Sequence, residues 1–133
     1  MKLKEKFNQL IKTIDFFSQD LHFEQLINYG YPYIHNLLNL NGSAIFILEK
    51  NKYLCKKNIN FNSIENIQIK NSKKINNLAT LHGRILYENF EKYFPEKFIE
   101  ENHINFIIPI INGKNLLGFL ISKTKIRLKD NND

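Results

Sequence analysis

Ile104-Asn-Phe-Ile-Ile-Pro109-Ile-Ile-Asn112-Gly113-Lys-Asn-Leu-Leu-Gly118-Phe-Leu-Ile-Ser122 sets two strand-sized apolar runs on either side of Asn112-Gly113, the strongest short-range signal for a β-hairpin. Gly113 supplies the backbone angles that the turn needs, and Gly118 lets another backbone or side chain approach the second run closely. Pro109 has no N–H to give to a ladder, so a bulge or an unpaired position is expected there. The fold therefore closes on an antiparallel strand pair near its C-terminal end.

Upstream, Ser43-Ala-Ile-Phe-Ile-Leu-Glu49 is apolar on both alternating faces, the mark of a central strand covered on two sides. Lys50-Asn51 turns the chain, and Lys52 to Lys56 returns with Tyr53 and Cys55 on one face and Leu54 on the other. Ile67-Gln-Ile69 is a short strand at most. Phe23, Leu26, Ile27, Ile34, Leu37 and Leu38 describe a helix that Gly30-Tyr-Pro32 must kink near its middle and Asn39-Leu-Asn-Gly42 must stop. From Lys73 the helical period returns through Ile75, Leu78, Ala79, His82, Ile85 and Leu86, and Pro95 opens a short helix ending near Asn102. Ahead of all these, Leu3, Phe7, Leu10, Ile14, Phe17 and Leu21 follow the alternating four-and-three spacing of a coiled-coil seam. That stripe predicts either self-association or packing on the chain's own sheet.

Helix, helix, hairpin, strand, helices, hairpin: this order resembles the GAF domain from about Asp20 to Lys123. Phe23 to Glu49 is similar to the family's helix leading into its first strand. Ala79-Thr-Leu-His-Gly-Arg-Ile-Leu-Tyr87 is similar to the helix walling its ligand pocket, and Ile107 to Ile121 to its closing hairpin. The resemblance implies an α+β fold: a central antiparallel sheet with the N-terminal helices on one face and pocket helices and loops on the other. With the seam ahead of it, the chain divides into an amphipathic dimerisation helix (1–19), the GAF domain (20–124) and a polar tail or truncated linker (125–133). It also implies a small-molecule sensor upstream of a bacterial output domain such as a diguanylate cyclase, histidine kinase or phosphatase.

Composition narrows the classes. The 133 residues carry a net charge of +6, which attracts phosphate, but lysine outnumbers arginine 17 to 2 and the bidentate groups that read nucleic acid are scarce, so no nucleic-acid partner is expected. No apolar run reaches the length of a membrane span, and the basic start lacks the apolar core of a signal peptide, so a cytoplasmic location without membrane contact is expected. Cys55, the single cysteine, excludes an intrachain disulfide and reads as a small buried apolar residue. His22, His35, His82 and His103 share no metal-ligand spacing, and neither a phosphate loop nor a nucleophile elbow occurs; no metal, cofactor or catalytic residue is expected.

The candidate ligand-binding residues are His82, Arg84 and Tyr87 on the presumed pocket helix, flanked by Tyr93 and His103, because an arginine there can hold an anion bidentately. The candidate dimerisation residues are Leu3, Phe7, Leu10, Ile14 and Phe17, which predict a homodimer. The expectation is a non-catalytic sensory domain that binds a small molecule and dimerises. The alternative is an interaction module whose pocket is plugged by Phe61, Phe90, Tyr93, Phe94 and Phe98.

Overall fold

The structure, a computed structural model, describes residues 5–6, 8–9, 11–12, 23–62, 64–81 and 84–125. Residues 5, 6, 8, 9, 11 and 12 are helical. The proposed seam residues Leu3, Phe7, Leu10, Ile14 and Phe17 lie outside the described residues, as does His82.

The kink expected at Gly30-Tyr-Pro32 takes a definite form. Helix α1 (Phe23–Gln25) runs into a π-helical turn (Leu26–Gly30) and then into α2 (Tyr31–Leu37). Tyr31 N–H reaches back to the Leu26 carbonyl, five residues away, which widens the turn just where Pro32 has no N–H to offer and its ring would strike the preceding turn. The helix stops at Asn39, whose φ of 53° is left-handed. Leu40 N–H bonds the His35 carbonyl and Asn39 N–H the Asn36 carbonyl, the paired closure that satisfies a helix's last carbonyls.

Strands β1 (Ser43–Glu49), β2 (Lys52–Ile59), β3 (Gln68–Lys70), β4 (Phe106–Asn112) and β5 (Asn115–Ser122) form one antiparallel sheet in the order β3-β2-β1-β5-β4. Both hairpins use turns whose twist matches the strands. Lys50 and Asn51 both have positive φ, at 48° and 69°. In the second hairpin Asn112 pairs with Asn115, so the turn residues are Gly113 and Lys114, one position beyond the Asn112-Gly113 signal; Gly113, at φ 63°, occupies the first turn position, which glycine alone fits without strain. Ile107 exchanges both backbone groups with Leu86 on the outer side of β4, at 2.9 and 2.8 Å. Pro109, two residues on, therefore aims its nitrogen at the same free edge, where no donor is required. The register shift comes one residue later, between Ile110 and Ile111.

Alternation along β1, β4 and β5 sends residues to two cores. Ile45, Ile47, Phe106, Ile108, Ile110 and Leu120 pack under Leu26, Tyr31, Ile34 and Leu40 of the helical layer. Ala44, Phe46, Tyr53, Ile107, Phe119 and Ile121 meet a cover from the middle of the chain, including Phe61, Ile64, Ile75, Leu78, Phe94 and Phe98. Strands β1, β4 and β5 are buried on both faces, as the unbroken apolar run of β1 requires, while β2 and β3 mix buried and exposed residues.

Where α2 meets β1, Ser43 Oγ lies 2.7 Å from both the Tyr31 hydroxyl and His35 Nδ1. Burial pushes the Tyr31 hydroxyl up to about 12, partly offset by its bond to Ser43, and burial holds His35 below its ordinary value. A histidine whose folded-state pKa is depressed favours the neutral ring, so its contribution is complete above about 6.5 and is lost as pH falls from there through the lower folded-state value. Thermal unfolding should therefore give a lower Tm at pH 5.5 than at pH 7.5, and His35→Gln should flatten that slope; an unchanged slope in the variant would exclude His35 as its source.

Gly118 and Gly113 should respond differently to alanine. A Cβ on Gly118 would overlap the Phe46 carbonyl oxygen of β1, whereas at Gly113 nothing lies within 4 Å and only the left-handed backbone resists. Urea denaturation should show Gly118→Ala destabilising by about 3 kcal/mol and Gly113→Ala by about 1 kcal/mol.

Candidate functional site

The long helix predicted from Lys73 to Leu86 is not what forms. Ser72 Oγ accepts from Ile75 N–H and opens a single α-turn, α3 (Lys73–Asn76), which tightens into a 3-10 turn at Asn77–Leu81. Short polar side chains bond the backbone of both turns. Asn76 Nδ2 donates to the Ser72 carbonyl at 2.7 Å, which also takes the Asn76 backbone N–H at 3.0 Å, and Thr80 Oγ1 donates to the Asn77 carbonyl at 2.8 Å. Beyond residues 82 and 83, which are not described, the chain is extended around Leu86, so Ile85 faces the helical core and Leu86 the covered core. The apolar spacing that reads as a helix face thus serves two sides of a strand-like segment.

That extended segment brings Arg84 and Tyr87 beside Tyr93, on an open surface groove of about 330 Å³ that Glu88, Asn89 and Lys92 also line. Arg84 is exposed, and its Nε donates to the Leu81 carbonyl at 3.2 Å, tying one side of the guanidinium to the end of the 3-10 turn. Tyr87 is exposed and Tyr93 half-buried. His103 does not join them. It stands exposed after α4 (Glu96–Glu101), at φ 52°, and does not line the groove. Lys92 and Asn89 were not foreseen; Asn89 turns the chain at φ 58° just before the short turn that carries Lys92.

Under the cover, aromatic rings occupy the space between sheet and loops. Phe46 stacks on Phe119 with centroids 5.0 Å apart, Phe94 meets Phe119 edge-on at 5.1 Å, and Phe98 lies 5.7 Å from Phe94 and 6.0 Å from Phe46. Tyr53 completes the group 5.5 Å from Phe119 and donates its hydroxyl to the Leu116 carbonyl at 2.9 Å. Of the five aromatics expected as a plug, Phe61, Phe94 and Phe98 are buried in this cluster, while Phe90 and Tyr93 pack half-buried against it. Such rings contribute through area and through edge-to-face geometry, each pair adding about 1 kcal/mol.

Cys55 is half-buried on β2, and burial raises its thiol to about 11, so the neighbouring Lys56 and Lys57 produce no thiolate near neutral pH. Among the described residues no group of three His, Cys, Asp or Glu side chains is placed to hold a metal ion, and no helix is long and apolar enough to cross a membrane.

No protein-family model matches the sequence, and no curated protein matches it. Solved structures do match in shape. The A. Aeolicus nlh2 GAF domain in an inactive state aligns over 97% of this chain and 85% of its own, with TM-score 0.56 and 16% identity. The GAF domain of a phosphoenolpyruvate-protein phosphotransferase from Coxiella burnetii aligns over 92% of this chain and 84% of its own, with TM-score 0.52 and 16% identity. Its counterpart from Acinetobacter aligns over 94% and 80%, with the same score and identity. At such identity the likeness speaks to architecture, and it agrees with the sheet order, the two covered faces and the closing hairpin: this chain has the fold of a GAF domain.

Proposed function

We propose that this chain is a non-catalytic regulatory domain of a larger bacterial signalling protein, one that works through its surfaces and subunit contacts while its own side chains fill the space where the GAF resemblance implies a ligand. The observation that carries this reading is the burial of Phe94 and Phe98 against Phe46 and Phe119. Two of the similar structures are GAF domains of phosphoenolpyruvate-protein phosphotransferases, which supports a module attached to an enzyme. The output domain, the cytoplasmic setting and the homodimer belong to the same proposal. Dimerisation is assigned to the seam of Leu3, Phe7, Leu10, Ile14 and Phe17.

A thermal-shift screen with nucleotides, amino acids and small organic acids tests the filled interior, because a ligand present at 100 times its Kd adds about 2.7 kcal/mol of stability. The expected result is no rise in Tm that survives Arg84→Ala; a rise that persists in this variant would place a ligand elsewhere and overturn the reading. A second reading rests on Arg84, Lys92, Tyr87 and Tyr93 sharing one groove, a set suited to a small anion. It expects a rise in Tm with organic acids that Arg84→Ala abolishes. Sedimentation across a concentration series tests the dimer separately: Leu10→Asp should shift the chain to monomer, and a wild-type chain that is monomeric throughout would remove the proposal.

A further inference from the structure

The two edges of the sheet are treated differently. At β4 the outer side is closed by the Leu86 bridge at Ile107 and blunted at Pro109, which has no N–H. At β3 Asn71 N–H donates to the Asn51 carbonyl at 3.0 Å at the head of the ladder with β2. Counting by twos from there, Ile69 exchanges bonds with Tyr53, and the N–H and C=O groups of Gln68 and Lys70 point away from β2. Among the described residues no backbone group pairs with them.

Grooves flank this open edge on both faces of the sheet, and Gln68 lines both. On the cover side a groove of about 380 Å³ is walled by Ile67, Ile75, Tyr93, Pro95 and Phe98. On the helix side one of about 610 Å³ is lined by Leu54, Lys50, Lys52 and Glu49. Lys52 stands directly opposite Lys70 in the ladder, so two like charges share the helix-side face. Neither forms an ion pair among the described residues; Lys52 Nζ donates to the Gln68 side-chain oxygen at 3.2 Å, and Glu49 is engaged by Lys56 at 2.8 Å. Lys74, exposed, extends the positive charge along the cover-side groove.

We propose that β3 is a docking edge for an extended acidic peptide segment of a partner protein, which adds as a strand through the main-chain groups of Gln68 and Lys70. A strand laid there sends alternate side chains to opposite faces. Apolar residues enter the groove of Ile75 and Phe98, and carboxylates fall beside Lys70 and Lys52, relieving the like-charge pair. The site shares only Tyr93 with the Arg84 groove. It gives the regulatory reading a partner, and because the probe is a peptide, its failure would leave the ligand screen and the dimer test as they stand.

Fluorescence anisotropy with a labelled peptide of alternating glutamate and valine tests it on the full chain. The peptide should bind, and binding should weaken as salt is raised. A version with lysine in place of glutamate should not bind. Lys70→Pro, which leaves the bonds to β2 in place, should weaken binding about ten-fold beyond Lys70→Gln, since it removes a donor as well as the charge. As a check independent of any variant's folding, N-methylation of all the glutamates or of all the valines should differ, one set abolishing binding and the other tolerated, because only alternate N–H groups face β3. Absence of binding by the parent peptide, equal binding of the lysine version, or equal effects of the two N-methyl sets would overturn the proposal.

Discussion

The contact on which the structure depends is the close approach of β5 to β1 at Gly118. No side chain fits between Gly118 and the Phe46 carbonyl, and that lets the two central strands lie against each other where both faces carry their heaviest load. Phe119, paired opposite Phe46, stacks on it at 5.0 Å and becomes the centre of the aromatic group under the cover. Leu120, one residue on, turns to the opposite face with Ile45 to support the helical layer. A shift of one residue in this register would exchange the two sets, leaving Phe119 beneath α2 and Leu120 beneath the cover. Both cores are thus referenced to a single glycine.

The same register places the aromatic rings beneath the cover. Phe94 and Phe98 come from a stretch whose turns are short and whose backbone bonds are local, such as Phe94 N–H to the Phe90 carbonyl and Phe98 N–H to the Pro95 carbonyl. Little regular structure holds that stretch over the sheet. Its position follows from inserting two large rings against Phe46 and Phe119, each insertion removing apolar surface worth about 2 to 3 kcal/mol from water. The rings buried beneath the cover are also what hold it in place.

The strands and their turns were legible in the sequence because their signals are local: an unbroken apolar run for β1, a glycine for the second turn, and Pro32 and Asn39 for the distortion and end of the helix. The cover was not. Ile75, Leu78, Ala79, Ile85 and Leu86 fit a helical face, yet the chain tightens after Asn76 into a 3-10 turn, and the last two residues are set by Ile107, a strand distant in sequence. The same departure from a helix shapes the candidate site. Arg84 and Tyr87 do sit together with Tyr93, but on an extended segment at the edge of the sheet, and His103 lies apart because a left-handed turn carries it to the surface. Lys92 joins them only through the fold. The trio of Tyr31, His35 and Ser43 had no sequence signal either, since its members are brought together by the packing of α2 on β1.

That trio lies where the chain's helical layer meets its exit. Ser43 begins β1 and pairs with Ser122, the last residue of β5; Ser122 Oγ donates to the Gly42 carbonyl at 2.8 Å, Lys123 N–H to the same carbonyl at 3.1 Å, and Asn41 N–H to Thr124 Oγ1 at 2.8 Å. Asn41 and Gly42 in turn follow directly on the Asn39 closure of α2. The end of the helix, the start of β1 and the departing chain therefore share one set of hydrogen bonds. Sliding α2 along the sheet would strain both the Tyr31 and His35 bonds to Ser43 and the Gly42 and Asn41 bonds to residues 122–124. The junction runs through backbone groups and four buried side chains, those of Tyr31, His35, Ser43 and Ser122, and it ties the helical layer to the end of β5 without using the covered face.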